Sequence, residues 1–75
     1  MRPLTEIRQG GRAIVLEVAV SGVHGVRMAG MGILPGVRVT VLRNGKRKAL
    51  LLECGRSIFA VARALALTVS VEEEA

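Results

Sequence analysis

Five residues, Gly32-Ile33-Leu34-Pro35-Gly36, form a corner that restricts what the rest of this chain can do. The corner follows a run of small and flexible side chains, Met28-Ala29-Gly30-Met31. It precedes strict alternation, Val37-Arg38-Val39-Thr40-Val41. Pro35 locks its own φ at about −65° and pushes Leu34 toward extended backbone, and Gly36 can take the positive φ that a type II turn demands after proline. A strand is therefore predicted to begin at about Val37, with the preceding segment delivered against it at a set angle.

On either side of the corner the apolar residues mostly recur with period two. Leu4 to Gly11 reads as a lead-in plugged by Leu4 and Ile7, and Arg12 to Val20 as a strand. In that strand the even residues Ile14, Leu16, Val18 and Val20 are expected to face the core, and Ala13, Val15, Glu17 and Ala19 the other side. Ser21 can cap a short helix reaching about Met31. Gly22, Gly25 and Gly30 each cost such a helix up to about 1 kcal/mol relative to Ala, although small residues let it lie close on a sheet. Asn44-Gly45 is the preferred pair for a two-residue type I′ hairpin turn. The expected register sets Arg43 against Lys46, Val41 against Lys48, Val39 against Leu50 and Val37 against Leu52, with Arg38 diagonal to Glu53. Gly55-Arg56-Ser57 is a further turn, Ile58 to Val61 a short strand, Ala62 to Ala66 a single helical turn, and Leu67, Val69 and Val71 mark a last strand. The expected fold is mainly β: a small, partly closed barrel of about five strands with one short helix.

A chain of 75 residues has room for one domain, here 1–75 with an acidic tail over 72–75. Half of the residues are hydrophobic (51%), yet Phe59 is the single aromatic, so the core has to be aliphatic. So much aliphatic surface on a small body predicts an exposed patch, which points to a partner or to self-association. No apolar run approaches the roughly 20 residues of a membrane span, and the lone Cys54 has no internal disulfide partner, so a cytoplasmic protein is expected. With Glu72, Glu73 and Glu74 set aside, the 11 Lys and Arg residues face only three acids. Such a body suits nucleic acid, an anionic lipid surface or an acidic protein face; solubility is the simpler use of the same charge.

Catalysis is not expected, because one His, one Cys and no Asp leave no nucleophile with a base, and no closed set of metal ligands. His24 with Cys54 or a glutamate could in principle help hold a metal ion. A half-exposed histidine near a helix start and a small core cysteine are the ordinary readings of these two, and no cofactor is expected. Arg43, Lys46, Arg47 and Lys48 form a basic tip that either grips an anionic surface or is a solvated turn whose charges protect apolar strands. Nucleic acid is disfavoured because base-stacking recognition uses aromatic platforms. Around the corner, Met28, Ala29, Gly30, Met31, Ile33 and Leu34 serve either as core or as a docking face for a partner.

These residues resemble the FeoA family, ferrous iron transport protein A. The resemblance rests on Leu4 with Gly10-Gly11, on Arg27 to Gly36 where the family has a short helix and a Leu-Gly-Ile/Met-x-Pro-Gly corner, and on Phe59-Ala60-Val61 followed by Ala66, Val69 and Val71. Met28 and Met31 stand where leucines are usual. The resemblance implies an SH3-like barrel and an accessory role in ferrous iron uptake, with Fe²⁺ as the ion that His24 with Cys54 or a glutamate could help hold. It implies docking on the cytoplasmic domain of the FeoB permease, which would make the protein cytoplasmic or peripheral at the inner face of the membrane. The same fold recurs as a module of metal-dependent repressors, so a ferrous-responsive regulatory domain is an alternative, as is a basic module for nucleic acid or anionic surfaces.

Overall fold

In the computed structural model, which describes residues 1–74, one antiparallel sheet carries six strands. They are β1 (Arg2–Pro3), β2 (Arg12–Val18), β3 (Arg38–Arg43), β4 (Leu50–Cys54), β5 (Ser57–Val61) and β6 (Val69–Glu73), in the order β1-β6-β2-β3-β4-β5. A 3₁₀ turn (Leu4–Glu6) and two helices, α1 (Gly22–Gly30) and the single turn α2 (Arg63–Ala66), complete the chain. The expectation of a mainly β body with one short helix holds. The sixth strand, β1, is only two residues long and carries no alternation by which to recognise it.

A flat sheet is about 10 Å deep with its packing layer, whereas this molecule measures 30 × 25 × 24 Å. The sheet therefore curls around its own aliphatic interior. Its edge strands β1 and β5 do not hydrogen-bond to each other. The connections bridge the gap instead, α2 lying against the 3₁₀ turn. Leu4, Ile7, Val15, Val39, Val41, Leu50, Leu52, Val69 and Val71 are fully buried in one cluster, and no polar side chain among the described residues is buried with them.

The corner forms as expected. The Val37 N–H donates to the Leu34 carbonyl at 3.1 Å and Gly36 has φ +91°. It is laced to β2 through Gly36 N–H to Val15 O (2.7 Å) and Val15 N–H to Val37 O (2.8 Å).

Two β-bulges account for most of the departures from the expected pattern. In β2 the pairing passes from Val15↔Val71 to Glu17↔Ser70, so Leu16 is an extra residue. Before this bulge the odd residues Ala13 and Val15 point inward; after it Val18 and Val20 pack on the core. The even face is thus the core face only in the second half of the segment, because an inserted residue inverts the sidedness of everything beyond it. In β3 the pairing passes from Val41↔Leu52 to Arg43↔Leu51, which makes Leu42 the extra residue.

The hairpin is antiparallel, but its register is Val39↔Cys54, Thr40↔Glu53 and Val41↔Leu52, four residues from the one expected. An even slip keeps the same side chains inside, which is why the core residues were identified correctly from the wrong register. Asn44-Gly45 is not the turn, because the Asn44 side chain is engaged elsewhere. Its Nδ2 donates to Thr5 O (3.0 Å) and Ile7 O (2.7 Å), tying the loop to the lead-in. The two-residue hairpin loop is Gly55-Arg56, between the paired Cys54 and Ser57. The acids of the tail are also structured. Glu72 and Glu73 pair with Ile14 and Ala13 in β6, Glu73 is 2.6 Å from Arg2, and Glu74 receives both Nε (2.6 Å) and Nη2 (3.0 Å) of Arg38.

Candidate functional site

The β2 bulge and the corner lie side by side because both are anchored at Val15. Together with α1 they enclose a groove of about 530 Å³. Leu16, turned outward by the bulge, forms one wall, with Leu34 and Pro35 of the corner beside it and Val26 and Ala29 of α1 opposite. Val26 is 74% exposed, Leu34 45% and Leu16 38%. Large aliphatic side chains at such exposure, on a body with a buried core of its own, belong to the surface rather than the interior.

Helix α1 keeps its position through its ends and its small residues. Ser21 occupies the N-cap without a side-chain bond. At the other end Gly32, with φ +81°, donates to Ala29 O (2.9 Å) and Ile33 donates to Met28 O (3.0 Å), the paired bonds of a Schellman ending. A Cβ on Gly25 would lie 2.9 Å from the Val20 carbonyl, so glycine there lets the helix rest directly on the end of the β2 segment. The glycines that lower helix propensity are in part those that the packing requires.

The residues expected to dock divide into two groups. Met28 and Ile33 are 0% and 1% exposed and belong to the core, which removes them from any surface. Ala29, Gly30 and Leu34 are exposed and Met31 is half-buried. Leu16, Val23 and Val26 were missed. Leu16 had been assigned to the core by uninterrupted alternation. Val23 and Val26, three apart on a helix and on a different face from Met28, were legible as an outward apolar pair.

The basic tip lies at the far end of β3. Arg43, Lys46, Arg47 and Lys48 are all exposed, Arg43 as the last residue of β3 and the other three on the connection to β4. Arg63 of α2 clamps this loop, donating to Asn44 Oδ1 (2.6 Å), Gly45 O (2.6 Å) and Lys48 O (3.2 Å).

His24 is exposed on α1, while Cys54 is buried with its thiol donating to Gly32 O at 3.4 Å. Burial pushes the Cys54 pKa up, which disfavours the thiolate that metal binding needs. Among the described residues no three His, Cys, Asp or Glu side chains converge. No helix among them is long and apolar enough to cross a membrane.

Comparison with known structures places this geometry. A crystal structure of an iron uptake regulatory protein, FeoA, superposes with a TM-score of 0.89 at 26% identity, over 97% of this chain and 96% of that one. The solution structure of the FeoA protein from Chlorobium tepidum gives 0.88 at 26% identity, covering 100% of this chain and 71% of that one. The FeoA of Stenotrophomonas maltophilia, crystallised with zinc, gives 0.81 at 24% identity over 92% and 87%. That protein is described as an SH3 domain protein and is suggested as a bacterial ferrous iron transport activating factor. No curated protein matches the chain. The family model for the FeoA domain matches residues 2–73, and with that span and the shared SH3-like fold the chain belongs to the FeoA family.

Proposed function

We propose that this protein is a non-enzymatic accessory of ferrous iron uptake, which docks on the cytoplasmic domain of the FeoB permease and biases its conformation. The observation that carries this reading is the groove formed by Leu16, Val26, Ala29, Leu34 and Pro35, whose large aliphatic side chains remain exposed. Membership of an iron transport family supplies the kind of partner. An apolar segment of that partner would lie along α1, where Gly22, Gly25 and Ala29 keep the wall low enough for its backbone to come close. Docking changes the permease only through a difference in affinity for its conformations, so the groove has to be complementary to a shape that one of them presents.

Burying a Val or Leu side chain completely is worth about 1.5–3 kcal/mol. Val26→Glu or Leu34→Glu, both at solvent-facing positions, should therefore weaken binding to the isolated cytoplasmic domain at least tenfold in a calorimetric titration while leaving the fold intact. Undiminished binding by both variants would contradict docking through this face. Met28→Glu is unsuitable for the purpose, because it would place a charge in the core.

A further inference from the structure

The end of β3 and the loop that follows it place four cations within six residues, Arg43, Lys46, Arg47 and Lys48. The three ion pairs among the described residues use Arg2 and Arg38 as their cations, and none reaches this loop. Charges that serve only to keep strands soluble need no fixed geometry. The backbone that carries these four is held in place. Arg63 fastens the loop at Asn44, Gly45 and Lys48, Asn44 fastens it to Thr5 and Ile7, and the Asn44 N–H adds a bond to Gln9 Oε1 at 3.3 Å. Arg47 sits at φ +63°, a left-handed conformation uncommon for a side chain other than glycine, asparagine or aspartate. A fastened loop thus carries a cluster of positive charge with no ion-pair partner among the described residues, and this is the arrangement of a site for an external anion.

Beside the loop is a second cleft, of about 490 Å³, whose lining combines Arg43, Lys48 and Gln9 with the apolar Ala49, Leu51 and Ala60. Cations and apolar side chains lining one cleft match an amphiphile whose phosphate meets the cations while its less polar portion lies on the apolar side chains. From this juxtaposition we infer that the β3–β4 loop is a contact site for the anionic lipid headgroups of a bilayer surface. Each basic side chain near such a surface strengthens partition about fivefold, so the cluster together gives reversible attachment. A nucleic acid fits less well, because the single aromatic residue, Phe59, is half-buried on β5 and provides no stacking platform.

The test is co-sedimentation of the whole chain with vesicles of phosphatidylcholine containing one third phosphatidylglycerol, in parallel with vesicles of phosphatidylcholine alone. Binding is expected to the anionic vesicles only, and to weaken as salt is raised. The triple variant Lys46→Gln, Arg47→Gln, Lys48→Gln should lose roughly a hundredfold in partition. Arg56→Gln, in the turn at the opposite end of β4, should bind as the parent does. Arg47→Gly, which suits the left-handed backbone and removes a single charge, should lose about fivefold. It guards against misfolding as the cause of any larger loss. Absence of binding to anionic vesicles, equal loss with Arg56→Gln, or an unaffected triple variant would overturn the inference. Tighter binding of duplex DNA or RNA through the same three side chains would overturn it in favour of nucleic acid. No permease is present in any arm, so the outcome is independent of the docking groove.

Discussion

The Ile33 N–H donates to the carbonyl of Met28 at 3.0 Å, and the two side chains enter the same buried cluster, so the end of α1 and the start of the corner form one unit. The unit depends on Gly32 at φ +81°. A Cβ there would lie an ordinary 3.5 Å from the Cys54 sulfur, so Gly32→Ala meets backbone strain rather than a clash. The expected loss is about 1–2 kcal/mol, read from the midpoint of urea unfolding. A midpoint unchanged from the parent would show that α1 is not held through its C-terminus.

Asn44 joins two other parts of the chain to its loop: the lead-in, through the carbonyls of Thr5 and Ile7 and the Gln9 side chain, and α2, through the Arg63 guanidinium. Asn44→Ala leaves partly buried carbonyls without a donor and should cost about 2 kcal/mol. Arg63→Ala should be destabilising as well, and the double variant should fall short of the sum because the two side chains share a bond. Strict additivity in the denaturation midpoints would show that the loop and α2 are not coupled.

Much of this was legible in the sequence. The corner announced itself through Pro35 and Gly36, and the aliphatic core through the alternation of Val39, Val41, Leu50 and Leu52. The helix was suggested by Ser21 despite poor propensity, and what sustains it is tertiary: the Schellman ending and the approach of Gly25 to Val20. The bulges at Leu16 and Leu42 carry no local signature, because a leucine that continues an alternating run looks the same whether it is paired or extra. Missing the first concealed one wall of the groove. Asn44-Gly45 misled for a different reason, since a side chain suited to a tight turn was recruited by carbonyls some 37 and 39 residues away in sequence.

Arg38 and Glu74 tie β3 to the end of β6. The hydrogen bond from Arg38, opposed by burial and aided by the charges of Arg38 and Arg12, holds the Glu74 carboxyl below its ordinary range. A carboxylate depressed in this way adds stability above its unfolded pKa, and that contribution disappears as pH falls through the lower folded value. Carboxyl-carbon NMR should show Glu74 titrating below the ordinary glutamate range, and Arg38→Gln should return it upward. No movement in the variant would mean that the pair does not persist in solution.

Cys54 is buried, and its pKa is raised by that burial. A thiol reagent at neutral pH should therefore modify the native protein only as fast as it opens, and modify the denatured chain at once. Above the ordinary thiol range the unfolded state ionises first, so stability should decline as pH rises there. Rapid labelling under native conditions would place Cys54 outside the core.

The role of the groove can be read most directly from the amide spectrum of isotope-labelled protein titrated with the cytoplasmic domain of the ferrous iron permease. Docking along α1 predicts the largest shifts at Leu16, Gly22, Gly25, Val26, Ala29 and Leu34, with the β5 edge and the basic loop unmoved. Shifts confined to those other surfaces, or none at saturating concentrations of the domain, would contradict it.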